Sequence, residues 1–304
     1  MVRFARRTAI LLGTLGLTAA LLPAQNATAA STAPCWMRPG SVTAGGDHRA
    51  ISINATLPMS ASYDGTYPGI YPDGQVKIST SVELSPDVAG YGHAGGWVVM
   101  GSSLYGSSYS IGANDEVINP QLTKVGGGWG DFTVIDTSYY VPPSGTGPNF
   151  RANQYGLRAD GMLFRWAARG GNWWVNRESY PGFASVKTMA LISRTFTYDT
   201  FLANTRGGAL YTIRIPTASP MKPIVKRVRT STWQAFDFLI AQGCGTQSTL
   251  LLGIDKETKS GYLYAVSHAT GLTTTINGLG KVPLAFTDPV YFRRKIEADN
   301  LFGE

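Results

Sequence analysis

Apolar residues in this chain recur mostly at every second position, in runs too short to build helices. Phe132-Thr-Val-Ile135, Met189-Ala-Leu-Ile192, Leu210-Tyr-Thr-Ile-Arg-Ile215, Phe236-Asp-Phe-Leu-Ile240 and Tyr262-Leu-Tyr-Ala-Val266 are examples. Clusters of Gly, Pro, Asn and Asp separate the runs, and no sustained 3.6-residue apolar period follows residue 30. The pattern predicts short strands joined by tight turns, an all-β fold. The first thirty residues differ. An uncharged Leu/Ala-rich run from Thr8 to Leu22 follows Arg3, Arg6 and Arg7, and ends at Pro23 and Ala27-Thr28-Ala29. This is the layout of a cleaved export signal, residues 1–29, and its apolar core is shorter than the ~20 residues a spanning helix needs. The sequence leaves the export route open, and the expected location is secreted, outside the cell or in its envelope.

Two elements then recur in fixed order. The first is an aromatic followed three residues later by an apolar residue and a strand. It occurs at Gly127-Gly128-Trp129-Gly-Asp-Phe132, Pro181-Gly182-Phe183-Ala-Ser-Val186 and Ser231-Thr232-Trp233-Gln-Ala-Phe236, with a weaker copy at Gly278-Leu279-Gly-Lys-Val282. Anchor positions 129, 183, 233 and 279 lie 54, 50 and 46 residues apart. The second is a hairpin with a hydrophobic exit, as in Asp160-Gly161-Met-Leu163-Phe164, Gly207-Gly208-Ala-Leu210-Tyr211 and Ser260-Gly261-Tyr-Leu263-Tyr264. Asp-Gly and Gly-Gly supply the positive φ angles such turns require.

Four strands in about fifty residues is the size of a propeller blade. The expected architecture is a five-bladed β-propeller over residues 75–304, with blades near 83–127, 128–181, 182–231, 232–277 and 278–304. Strand-like Gln75–Val82 is expected to complete the last blade, so that an N-terminal strand closes the ring and no edge is left bare. Residues 30–74, rich in Pro, Gly and Tyr, are expected to be an irregular lead-in.

Composition narrows the function. Losing residues 1–29 removes three arginines and no acid, so the net charge falls from +7 to +4. Without a nucleic-acid-binding motif, that balance argues against a nucleic-acid partner. The basic run Lys222, Lys226, Arg227 and Arg229 alternates with apolar residues and reads as a strand with a charged outer face. Cys35 and Cys244 are the only cysteines, and in an oxidising compartment a disulfide between them is the default.

Gly127-Gly128-Trp129-Gly-Asp-Phe132 resembles the blade signature of the tachylectin-type five-bladed propeller lectins. So does Trp233-Gln-Ala-Phe236-Asp-Phe238-Leu239 followed by Gly261-Tyr-Leu-Tyr-Ala-Val266. The resemblance covers about residues 83–304. It implies a toroid with sugar sites near blade junctions and a preference for N-acetylated amino sugars. The repeats here differ more among themselves than that family's do. Its Asn-Trp pair ahead of each glycine-rich strand is matched only by Asn172-Trp173.

Sugar sites set aromatic faces against the apolar side of a pyranose and short polar side chains against its hydroxyls. The candidate ligand-binding residues are therefore Trp129 with Asp131, Asn172 with Trp173, and Trp233 with Asp237. A repeated tryptophan also serves as packing between blades, and that reading stands beside the binding one. No catalytic residue, metal or cofactor is assigned. His48, His93 and His268 are isolated, and no nucleophile elbow or phosphate loop is present. The expected protein is a monomeric carbohydrate- or glycoconjugate-binding propeller with no membrane insertion after cleavage. The alternatives are a module that binds an extracellular protein and a glycoside hydrolase, which needs two carboxylates facing each other across a cleft.

Overall fold

A computed structural model describes residues 35–86, 92–142, 150–169, 172–296 and 300–304. The signal segment lies outside these residues. Among the described residues every regular element is a strand, and no helix is long and apolar enough to cross a membrane.

Four strands come first: β1 (Trp36–Met37), β2 (Pro39–Val42), β3 (His48–Asn54) and β4 (Ser60–Tyr67). They are followed by β5 (Val76–Ser79), β6 (Val82–Pro86), β7 (Gly92–Met100), β8 (Ser103–Ile111) and β9 (Val117–Gly127). The next meander contains β10 (Phe132–Tyr140), β11 (Arg151–Arg158), β12 (Leu163–Arg169) and β13 (Asn172–Tyr180). Another holds β14 (Val186–Arg194), β15 (Tyr198–Thr205), β16 (Leu210–Pro216) and β17 (Ile224–Arg229). The chain continues through β18 (Phe238–Cys244), β19 (Ser248–Asp255), β20 (Ser260–Ser267) and β21 (Ile276–Ala285), then β22 (Val290–Ile296).

β10–β13, β14–β17 and β18–β21 are three separate four-stranded antiparallel sheets, here the second, third and fourth. The remaining strands form a ten-stranded assembly of two meanders. In its first sheet, β6 pairs with β7, β7 with β8 and β8 with β9, while β5 also pairs with β7. In its fifth sheet, β22 pairs with β2, β2 with β3 and β3 with β4, while β1 also lies on β3. The two are joined where β22 runs parallel to β6, with Lys295 opposite Glu83.

Three sequence expectations are corrected here. Residues 36–67 are no irregular lead-in, since they supply β1 to β4, of which β2, β3 and β4 extend the sheet from β22. Their strands are hard to see because Pro39 and Gly40 interrupt β2, and β4 is polar and largely exposed. Residues 76–79 pair with β7 in the first sheet, so Gln75–Val82 does not complete the last meander. Finally, Gly278–Val282 belongs to the outermost strand of the fourth sheet. The true anchor is Phe286.

One hydrogen bond shows why. The backbone N–H groups of Trp129, Phe183, Trp233 and Phe286 donate to the carbonyls of Ser102, Gly161, Gly208 and Lys259 at 2.9–3.0 Å. Each acceptor lies in the turn between the second and third strands of the preceding sheet. Tyr71 makes the same bond to Gly46 at 2.9 Å, ahead of the first sheet. The latch satisfies a backbone donor that the connecting segment would otherwise leave orphaned. It also seats an aromatic ring against the neighbouring sheet. At Gly161 the approach leaves no room for a side chain, because a Cβ would lie 2.1 Å from the Ala184 nitrogen.

Five apolar clusters fill the spaces between successive sheets. Val99, Leu104, Trp129 and Trp166 join the first and second, and Tyr155, Leu163, Phe183 and Met189 join the second and third. Leu202, Val228, Trp233 and Phe236 join the third and fourth, and Ile240, Leu252, Ile53 and Phe286 the fourth and fifth. Val42, Phe292, Val82 and Tyr109 pack together between the fifth and the first. The leading strands β5, β10, β14, β18 and β22 neighbour one another in turn. Together they line a cavity of about 70 Å³ that reaches from Ile78 and Asp136 to Asp237 and Arg293. Cys35 and Cys244 form a disulfide, with Cα atoms 5.6 Å apart, that ties the segment before β1 to the end of β18.

Candidate functional site

A groove of about 630 Å³ lies where the first sheet faces β10. Its shape follows from small residues on two paired strands. Gly95 and Trp97 on β7 sit opposite Ser108 and Gly106 on β8, so three of these four positions carry little or no side chain. Gly106 lets the Trp97 ring lie close over β8, since a Cβ there would come within 3.2 Å of the ring. Thr123 and Val125 on β9 form the outer end, and both are exposed. Thr137 and Tyr139 of β10 form the opposite wall.

The inner end is polar and charged. Glu83 on β6 pairs with Lys295 on β22 at 2.9 Å, and the ammonium lies 5.3 Å from the centroid of Tyr139. Lys295 is buried and Glu83 is substantially exposed. Burial, reinforced by nearby Arg194, draws the Lys295 pKa below the usual lysine range, while Glu83 pulls the other way. This end therefore offers a carboxylate acceptor and an ammonium donor side by side, next to an aromatic face.

Behind the groove, the reverse face of the first sheet is held by a buried polar network. His48 lies between the hydroxyls of Tyr109 and Tyr71, each 2.9 Å away, and Tyr71 donates to Ser107 at 3.0 Å. Because Tyr71 donates onward, His48 Nε2 carries the proton and Nδ1 accepts from Tyr109. Burial, with nearby Arg294, pushes the histidine pKa down to about 3.

The sequence candidates lie elsewhere. Trp129 is 8% exposed, with its ring against Phe132, Trp166 and Trp174. Trp233 is 5% exposed and packs on Phe236 and Tyr264. Rings enclosed this far have no free face for a sugar, so both are corrected from ligand contacts to packing between sheets. Asp131 is exposed beside its anchor, and its carbonyl accepts from Ala159 at 2.8 Å. Asp237 borders the central cavity, where it pairs with Lys187 at 3.0 Å and accepts the Lys256 N–H at 2.9 Å. Asn172 and Trp173 fall in β13, but their side chains are outside the described residues. The structure brings none of these described candidates into the groove.

No protein-family model matches the chain, and no curated protein matches it. Among solved structures, the chain is similar to AofleA from Arthrobotrys oligospora at 10% identity, over 87% of this chain and 90% of that one, with a TM-score of 0.44. It is also similar to Aleuria aurantia lectin in complex with Fucalpha1-6GlcNAc at 13% identity, over 84% and 81%, with a TM-score of 0.42. A third match is Synechocystis apocarotenoid oxygenase, at 10% identity over 81% and 66%, with a TM-score of 0.33. The functional reading rests on the groove itself.

The signal for the groove was present in His93-Ala-Gly-Gly-Trp97 and Gly106-Ser-Ser108. Taken alone, each run reads as a weak strand. Only their register puts the small residues side by side on one face.

Proposed function

We propose that this chain is an exported, five-bladed propeller that binds carbohydrate in the groove between its first and second blades. The five latches, the five apolar junctions and the common cavity of the leading strands support the ring. In this reading β2, β3 and β4 close it by stacking on β22, which leaves no leading strand without a neighbour on either side. The tachylectin-like signature and the cleaved signal at residues 1–29 belong to the same proposal. The observation that carries the binding function is the groove's composition, with Tyr139 and Trp97 as apolar faces and Glu83 with Lys295 as a paired acceptor and donor. A preformed concave site of several hundred Å³ with a few convergent polar groups is the usual form of a small-ligand site.

The test is a glycan array probed with the oxidised protein lacking residues 1–29, beside the Tyr139→Ala and Glu83→Gln variants. Binding that both variants weaken at least tenfold, with unchanged melting, supports the reading. A blank array sinks it. A second reading, a protein partner, is favoured by the exposed Val141, Phe150 and Phe196 at the ends of the second and third sheets. In that case a partner's affinity falls on Phe196→Ser and is untouched by Tyr139→Ala.

A further inference from the structure

We infer that the groove takes an oligosaccharide lying across the first blade, at least two rings at once, rather than a single terminal sugar. The inference rests on the carbohydrate reading and deepens it. Four strands of the first sheet, β6 to β9, contribute to the groove, from Glu83 on β6 to Val125 on β9. Three strand spacings of about 4.8 Å make it roughly 14 Å long, which exceeds one pyranose ring.

Its two ends also offer different chemistry. The inner end has the Glu83–Lys295 pair beside Tyr139. The outer end has Trp97, an exposed apolar Val125 and the Thr123 hydroxyl, with no charged side chain of its own among the lining residues. One ring fits the inner end by its hydroxyls and a second fits the outer end by its C–H face. Between them Gly95 and Ser108 carry little or no side chain, which leaves room for the linkage.

The test is calorimetric titration with homologous series of one to four rings built from N-acetylglucosamine, glucose, mannose or xylose. Affinity is expected to rise at least tenfold between one ring and three, then level off. Thr123 is exposed on the outermost strand, so Thr123→Trp fills the outer end without disturbing the core. That variant is expected to abolish the gain with length. A single ring binding as tightly as three overturns the inference and leaves the carbohydrate reading standing. A Thr123→Trp protein that keeps the full gain overturns it likewise. No binding by any series overturns both.

Discussion

The first and second sheets share one plan, and their outward-facing clefts have opposite contents. Register aligns Gly95 with Asn153, Trp97 with Tyr155, Gly106 with Arg165, Ser108 with Ala167 and Thr123 with Glu178. Where the first sheet has glycine and threonine, the second has Arg165 paired with Glu178. Deeper in that second cleft, Asp199 of the third sheet is fully buried. It accepts from Arg151 at 2.6 and 2.7 Å, from Tyr155 at 2.7 Å and from Ser138 at 2.6 Å. Burial and the adjacent Asp199 push the Tyr155 pKa well above its usual value, so it remains a hydrogen-bond donor. The second cleft thus binds its own neighbour and keeps only a hollow of about 350 Å³ at its rim, near Arg177 and Ser219. One backbone arrangement yields an open groove or a buried ionic staple, depending on a handful of side chains.

The largest effect should come from breaking the staple. Arg151→Met leaves Asp199 buried without its ionic partner, which costs about 3–5 kcal/mol. Denaturant unfolding measures it, and a loss under 1 kcal/mol would show that the network's other donors suffice.

Converting the first cleft into the second comes next. Gly106→Arg puts the bulk of Arg165 into the groove and should weaken glycan binding at least a hundredfold, about 2.7 kcal/mol. The melting temperature should move far less than for Arg151→Met, since Trp97 has open groove to move into. Retained binding would place the ligand elsewhere.

The reverse faces differ as well, with His48, Tyr71 and Tyr109 behind the first sheet and Trp166 in the second. His48 has a folded pKa of about 3 against 6.5 unfolded. Between those values the unfolded chain binds a proton that the folded one refuses, so stability falls as pH drops below 6.5 and loses about 2 kcal/mol by pH 5. Unfolding curves at pH 7 and pH 5 should show this loss in the native protein and not in His48→Gln, if that variant folds. A histidine ¹⁵N spectrum of the native protein gives an independent check, because the ring should remain neutral at pH 5 with the proton on Nε2.

The smallest contrast concerns the turns. Gly161 has φ +85° and no space for a Cβ, whereas at Gly101, φ +58°, a Cβ would point into open space. Both alanine variants suffer the left-handed backbone, and Gly161→Ala should cost about 1–2 kcal/mol more. Equal losses would mean that the latch to Phe183 gives way easily.

Much of the architecture was legible in the sequence because strand periodicity and turn chemistry are local. The short apolar run Met189–Ile192, the pattern of Leu210–Ile215, and the glycines at 161 and 208 mark strands and hairpins whatever surrounds them. The anchors Trp129, Phe183 and Trp233 were visible for the same reason, and so was the unique cysteine pair. What those anchors do was not visible. An aromatic beside a glycine reads alike whether it faces solvent or a neighbouring sheet, and the latch to the preceding turn decides that Trp129 and Trp233 are core.

The sequence by itself determined an all-β chain of repeated four-stranded units and the disulfide. Only the tertiary structure decided which strands complete the fifth sheet, because β2 and β22 lie about 250 residues apart in the chain, a separation at which no local pattern records pairing. It also decided where the groove opens. The groove's residues come from β6, β7, β8, β9, β10 and β22, and its volume is the space that Gly95, Gly106 and Ser108 leave empty when register sets them on one face.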